Sequence, residues 1–416
     1  MTLLLFILGL IVLMFFEYQE YKTLFTPFGV TSIPIALISL YVNLIGVQRG
    51  FKAVTSDSLI FLAFNLFAIW LAGQLIFFAN FKKFNFTKDF ENVKGFVQKN
   101  AKTLLIIMWV AIFGGFFRLF SFVRQYGVNM VGTKTFETAY GRGIFAHLEL
   151  LGYPSFILLT SLFPKNLNKK VLFASILLMG FVLLVSGVKY HLILPVVSIF
   201  LILSFISHER KVLSRRIIFF GLLLVAIFFG SYLVAFSAIY GISVVTRVWR
   251  FLISNLEYYI LAGPIGLGGY LSNYTQIFKT IDLFTVPLNI YNWLAGVREI
   301  SKVLWTQPYV DISQTVTVNV GTMFGTLYLA VGYWGSVFYS LILGFISYLL
   351  YFIAFRSKKV AWVLLNSWML AVLSLSFLGI QFHLLSVWEV AFYSLLIPIL
   401  CFVLSEVFPR YKERRV

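Results

Sequence analysis

The chain has 416 residues, 60% of them hydrophobic and only 12% charged, with a mean hydropathy of +0.93. So little polar surface cannot clothe a water-soluble globule of this length, which excludes that class. The net charge of +18 would suit a nucleic-acid binder, but Lys and Arg fall in short loops between apolar runs, where they set topology and meet anionic headgroups; the sequence therefore argues against nucleic acid as a partner.

A helix of about 20 apolar residues crosses a hydrocarbon core of about 30 Å. Such runs recur along the chain at 2–18, 29–46, 58–79, 102–123, 143–163, 171–188, 191–207, 216–239, 333–355, 360–380 and 387–408. They predict an all-α, polytopic membrane protein with about eleven spans in one membrane domain, 1–416. The run at 217–229 is apolar on every face, unlike the short alternating segments of an outer-membrane barrel. Met1 leads straight into an apolar stretch with no basic residue before it, so the first helix is expected to be retained rather than cleaved. Cys401 is the single cysteine and lies in the last run, which leaves no disulfide framework and no thiolate metal site.

Cytoplasmic loops carry an excess of Lys and Arg. The segment 81–102 holds six Lys; Lys165, Lys169 and Lys170 mark the next basic turn; Arg210, Lys211, Arg215 and Arg216 the third; Arg356, Lys358 and Lys359 the fourth; and Arg410, Lys412, Arg414 and Arg415 the tail. All fall on one side of the spans above, which predicts the N-terminus outside and the C-terminus in the cytoplasm.

Between the eighth and ninth spans, residues 241–332 form a long external stretch too apolar for a loose loop, and a folded cap is expected there. Within it, 251–274 is hydrophobic but interrupted by Gly263, Pro264, Gly266, Gly268 and Gly269, and 315–331 runs into a Gly-Tyr-Trp-Gly junction at Gly332 to Gly335. Both are read as interfacial or re-entrant; if both crossed, the count would rise to thirteen with the same end topology.

Ionisable residues inside spans are costly and mark cavities or partners. Arg118 lies roughly 8 Å below the outer end of its helix, and Glu149 is at a comparable depth in the next. Two readings stand: a structural Arg-to-Glu pair or snorkelling Arg, and an Arg that lines an external cavity for an anion. The loop 124–142 between these helices adds Arg124, Lys134, Glu137, Tyr140 and Arg142. Lys189, Arg247, Arg250, Arg298 and Lys302 are further basic residues on the side that topology disfavours. Arg247 and Arg250 share a face if helical, with Glu257 seven residues beyond, and suit either lipid phosphate or a diphosphate ligand. The external groups able to move a proton are His147, His191, His383, Glu149, Glu257, Glu299, Asp311 and Glu389; His147 stands out, one turn into a helix and two residues from Glu149, with His191 next. The sequence holds no Asp-rich pair, His-Glu metal spacing, Walker loop or Gly-x-Ser-x-Gly elbow, so a site without metal, nucleotide or cofactor is expected.

Three segments carry a family resemblance: Glu257-Tyr258-Tyr259-Ile260-Leu261-Ala262-Gly263, the run from Asn319 to Tyr328 followed by Gly332-Tyr333-Trp334-Gly335, and Ser186-Gly187-Val188-Lys189 before a helix. With the topology, they resemble the Wzy-type polymerases of O-antigen and capsular or exopolysaccharide repeat units. Many members carry Arg where this chain has Lys189, which keeps the charge but not the fork. The resemblance implies a glycosyltransferase of the bacterial cytoplasmic membrane that moves a growing glycan from undecaprenyl diphosphate onto a lipid-linked repeat unit at the outer face. It implies undecaprenyl-diphosphate-linked oligosaccharide, membrane lipids and a chain-length regulator protein as partners. Arg118, Arg142, Lys189, Arg247, Arg250 and Arg298 would then bind the substrate diphosphate, and His147, Glu149 or Glu257 would take the acceptor hydroxyl's proton. Cap aromatics such as Tyr258, Tyr259, Tyr291, Trp293 and Trp305 would offer faces to sugar rings or form an interface belt.

Three rival functions remain at this point. An O-antigen ligase would share the site and differ in acceptor. A lipid-linked oligosaccharide flippase should show two similar halves, which this chain lacks. A membrane O-acyltransferase could use His147 but leaves the external basic residues without a role.

Overall fold

A computed structural model describes residues 1–80, 90–131, 133–140, 143–185, 189–206, 215, 218–223, 226, 229–230, 245–297 and 307–407. These residues are overwhelmingly helical. In chain order the helices are α1 (Thr2–Tyr21), α2 (Pro27–Tyr41), α3 (Ser56–Asn80), α4 (Glu91–Tyr126), α5 (Lys134–Tyr140), α6 (Ile144–Leu162), α7 (Lys169–Val185), α8 (Lys189–Ile206), α9 (Val245–Asn273), α10 (Thr285–Leu294), α11 (Met323–Ser357), α12 (Val360–Ser374) and α13 (Leu385–Val407). Among the described residues, seven helices are long and apolar enough to cross a membrane: Thr2–Tyr21, Pro27–Arg49, Ser56–Ala79, Glu91–Tyr126, Ile144–Leu162, Met323–Ser357 and Leu385–Ser405. Tyr190–Ile206 and Val360–Ser374 are apolar but shorter. Large side chains such as Leu5, Phe113, Phe338 and Phe402 stay exposed on these helices, a surface that suits lipid. The expected span at 216–239 falls mostly outside the described residues.

The chain divides into two compact units. The first comprises Met1–Phe86, Asn255–Phe352 and Val372–Val387. In it, α2 begins where Thr26 accepts a hydrogen bond from the Gly29 amide at 3.2 Å and Pro27 supplies a preset φ at the first helical position. α2 runs on through a π turn and a 3-10 turn to Arg49. α1, α2 and α3 pack on one another. Asn65 of α3 accepts from Ser336 and Ser340 of α11, each at 2.8 Å, tying those helices by the polar side-chain bonds that hold helices together in lipid.

The second unit comprises Thr87–Ser254, Ile353–Ala371 and Trp388–Val416. Its frame is α4 against α6 and α7, with α8 against α6. Small residues set the approach: a Cβ added at Gly152 of α6 would lie 2.3 Å from the Ala111 Cβ of α4. A cluster of Phe122, Phe136, Tyr140 and Val185 seats α5 on this frame.

One expectation changes within the cap. α9 runs as one helix through Gly263, Pro264, Gly266, Gly268 and Gly269, where the sequence suggested interruption. The glycines are a packing face: a Cβ at Gly263 would meet the Phe377 carbonyl oxygen at 1.7 Å, and one at Gly266 the Val320 carbonyl oxygen at 2.4 Å. The expected junction after 315–331 is present: α11 starts at Met323, and two helical stretches meet at a kink at Gly332 (φ 73°, ψ −174°), a region open to glycine, before the chain runs on through the expected ninth span. A short hairpin, β1 (Val310–Asp311) with β2 (Thr317–Val318), is the described exception to an all-helical chain. Phe51 bridges to Ser313 beside it, and the Lys52 amide donates to the Ile312 carbonyl at 2.8 Å.

Gly263→Ala should therefore destabilise the protein by about 2 kcal/mol or more through overpacking. Gly180→Ala, on α7 with open space where the Cβ would go, should be neutral or mildly stabilising. Thermal unfolding of both variants in detergent checks the contrast.

Candidate functional site

The most deeply buried ion pair among the described residues lies in the second unit. Arg118 of α4 reaches Glu149 of α6 through Nη1 at 2.8 Å from Oε2, with side chains only 10% and 3% exposed. Such burial is far from a snorkelling geometry, and the pair that depth along the two helices suggested does form. Tyr140, at the end of α5, covers it: its ring lies 3.7 Å from the Arg118 guanidinium carbon. Its hydroxyl faces two acceptors, Glu149 Oε2 at 3.2 Å and the Gly115 carbonyl oxygen at 3.3 Å. Burial first, then the charge of Glu149, pushes the Tyr140 hydroxyl well above the ordinary tyrosine range, so it stays protonated and donates.

Beside this pair stand Tyr153 of α6 and His191 of α8. Their rings meet edge-on at 6.2 Å; His191 also meets Tyr190 at 4.5 Å, and Tyr153 meets Trp368 of α12 at 6.3 Å. Tyr153 is fully buried. Among the described residues its hydroxyl has no hydrogen-bond partner, and neither do both ring nitrogens of His191 or Nε of Arg118. Buried polar atoms in native proteins are normally satisfied, so four such atoms around one charged pair mark a place built to meet another polar group.

His147 does not join this centre. It is two residues from Glu149 on the same helix, and an i, i+2 spacing turns two side chains to different faces. Its Nδ1 lies instead 2.9 Å from Oε1 of Glu389 on α13, with the His147 side chain about half exposed at 49%. The other Glu389 oxygen is buried without a partner among the described residues.

Glu257 belongs to the first unit. It accepts from Arg49 at 2.6 Å and from the Tyr41 hydroxyl at 3.0 Å, while Arg49 also donates to Tyr41 at 2.9 Å. Tyr258 packs its ring on Phe51 at 5.8 Å. The sequence reading omitted Arg49 and Tyr41 because a cation and a tyrosine at the end of a span read as topology and interface. It also passed over Glu17 of α1, which is fully buried and bonded to the Tyr348 hydroxyl. Arg142 and Arg298 lie outside the described residues. Lys189, Arg247 and Arg250 are on described helical backbone, so Arg247 and Arg250 are one turn apart on α9. No group of His, Cys, Asp and Glu among the described residues is arranged to hold a metal ion.

The fold and these buried charges define a multi-pass, all-α membrane protein with polar centres set among apolar helices. Residues 50–407 match the profile of a family of unknown function, DUF6337, and the chain belongs to that family. No curated protein matches the chain, and no solved structure does.

Removing Arg118 alone leaves Glu149 buried and uncompensated, so Arg118→Ala should cost about 3 to 5 kcal/mol. Arg118→Met combined with Glu149→Leu should recover most of that loss, which a double-mutant cycle of thermal stabilities measures. His383, in the turn between α12 and α13, gives a separate pH signature. Burial lowers it from the ordinary 6.5 to about 4, opposed by the hydrogen bond its ring donates to the Ile380 backbone. Between these values the unfolded chain binds the proton and the folded one does not, so stability should fall as pH drops from about 6.5 towards 4. Melting temperatures across that window should decline less steeply in His383→Gln.

Proposed function

We propose that this protein is a glycan polymerase of the membrane, transferring a glycan chain from a lipid diphosphate such as undecaprenyl diphosphate to a lipid-linked repeat unit. The observation that carries the reading is the Arg118–Glu149 pair under Tyr140, with unpartnered polar atoms beside it. A charged pair buried this deeply, with Arg118 Nε unpartnered among the described residues, is a cost to folding, and in a membrane chain such groups mark substrate sites. The sequence resemblance to Wzy-type polymerases supplies the reaction class.

The reading sets both the chemistry and the cap at the outer face. Contacts within the first unit support that arrangement. Arg49 and Phe51 at the α2–α3 junction touch Glu257 and Tyr258 of α9, Lys52 bonds to Ile312, and Gly268 of α9 lies against Thr55 and Ser58. α9 thus lies along one end of α2 and α3 from Glu257 to Gly268, as an interfacial helix would. The expected spans between this junction and the cap, beginning with α3 and ending with 216–239, are even in number, which returns the chain to the same face.

In this reading the leaving group is a lipid diphosphate, and the cations for it are Arg142, Lys189, Arg247, Arg250 and Arg298. Arg118 is already matched by Glu149, so it orients the sugar rather than neutralising the phosphates. His147 with Glu389 and Glu257 with Arg49 are carboxylate-bearing centres for further sugar contacts. The reaction is independent of metal and cofactor, and the chain-length regulator is an added partner.

Deleting the gene in its host should leave surface glycan of one repeat unit on an otherwise normal anchor, seen on a gel. Long lipid-linked chains accumulating with none on the anchor would instead identify a ligase. Arg250→Ala should abolish chain growth with unchanged membrane abundance.

A further inference from the structure

The unpartnered atoms beside Arg118 and Glu149 differ in what they require, and that difference selects a ligand class. Arg118 Nε can only donate; the Tyr153 hydroxyl donates and accepts; the neutral His191 imidazole offers one donor and one acceptor nitrogen. Arg118 and Glu149 together carry no net charge. A phosphate group only accepts, so it would leave the acceptor nitrogen of His191 unmet. It would also bring a second anion beside the buried Glu149 carboxylate, in a medium where like charges repel strongly. Sugar hydroxyls meet every requirement: their oxygens accept from Arg118 Nε and Tyr153, and their protons go to the accepting nitrogen of His191.

We infer that Arg118 Nε, the Tyr153 hydroxyl and the His191 imidazole form the subsite for the acceptor sugar's hydroxyls, with His191 receiving the proton of the attacking one. This rests on the polymerase reading and names, for that same site, the substrate half it holds. In the step, the acceptor oxygen bonds to the anomeric carbon of the donor glycan as the bond from that carbon to the diphosphate oxygen breaks. The electron pair leaves with the lipid diphosphate, and the acceptor proton passes to His191. The groups recorded against His191 are Tyr190 on its own helix, Tyr153 on α6 and the charge of Arg118 on α4, while Glu149 and Tyr140 act on Tyr153 beside it. Arg118 is fixed towards the sugar by Glu149, and Tyr140 holds Glu149 by donating to it.

The decisive variant is Tyr153→Phe, which keeps the packed ring and removes one hydroxyl. If that hydroxyl is idle, deleting a buried unpartnered polar atom should raise thermal stability and leave turnover unchanged. The subsite predicts stability maintained or raised together with an acceptor KM raised about tenfold or more, the donor KM being unaffected. His191→Gln should lower kcat by about a hundredfold or more and remove the acidic limb of the pH–kcat profile. The assay uses the full chain in lipid nanodiscs, with lipid-linked single repeat units extracted from the deletion strain as donor and the same repeat-unit oligosaccharide freed of its lipid diphosphate as the separately varied acceptor. Wild-type protein that polymerises while both variants match it in kcat, acceptor KM and pH profile overturns the subsite and leaves the polymerase reading standing. Wild-type protein that makes no polymer overturns both.

Discussion

Everything specific in this molecule turns on one constraint, that a charge buried among apolar helices must be paired. Arg118 and Glu149 come from different helices, and neither is tolerable alone where it sits. Their pairing fixes the register of α4 against α6, and Gly152 lets those helices come close enough for the 2.8 Å contact. Tyr140 then closes over both, which gives the short helix α5 a reason to fold back onto the bundle. A residue that looks like a local cost is thus the point around which three helices are arranged.

The same constraint explains how much of the fold was legible in the sequence. Apolar runs and basic loops come from the solvent, so the spans ending α1, α2, α3, α4 and α6 could be located within a few residues. Breaks inside apolar runs were harder. Gly263, Pro264 and Gly266 read as interruptions because a sequence does not show that neighbouring backbone will fill the space a side chain would need. Gly332 was read correctly as a junction, because its flanking Tyr and Trp mark an interface and a glycine there permits positive φ. The short hairpin at Val310 had no signal, since two-residue strands are too brief to show alternation.

Legibility of the candidate site follows charge as well. Arg118 and Glu149 stood out because ions are rare in spans, and helix rise put them at one depth. Pairing between distant segments is invisible to that argument, so Glu257 was grouped with His147 and Glu149 although its partners are Arg49 and Tyr41. His147 drew attention by sequence proximity to Glu149, but helix geometry turns it towards Glu389. Tyr153 gave no sequence signal, being one tyrosine among 22 and indistinguishable from core or interface without its burial.

A transferase acting between two lipid-linked glycans has to keep two chemically different ends apart, one bearing phosphates and one bearing only hydroxyls. On the proposed reading, the neutral Arg118–Glu149 pair and the unpartnered atoms beside it disfavour phosphates by leaving an acceptor unmet and a carboxylate repelled. Arg247 and Arg250 lie one turn apart on the α9 backbone and belong to the same unit as Arg118, whose own charge is already matched by Glu149. On the proposed reading donor and acceptor are told apart by charge, and the pairing of Arg118 with Glu149 is what charge counting cannot see and side-chain geometry makes explicit.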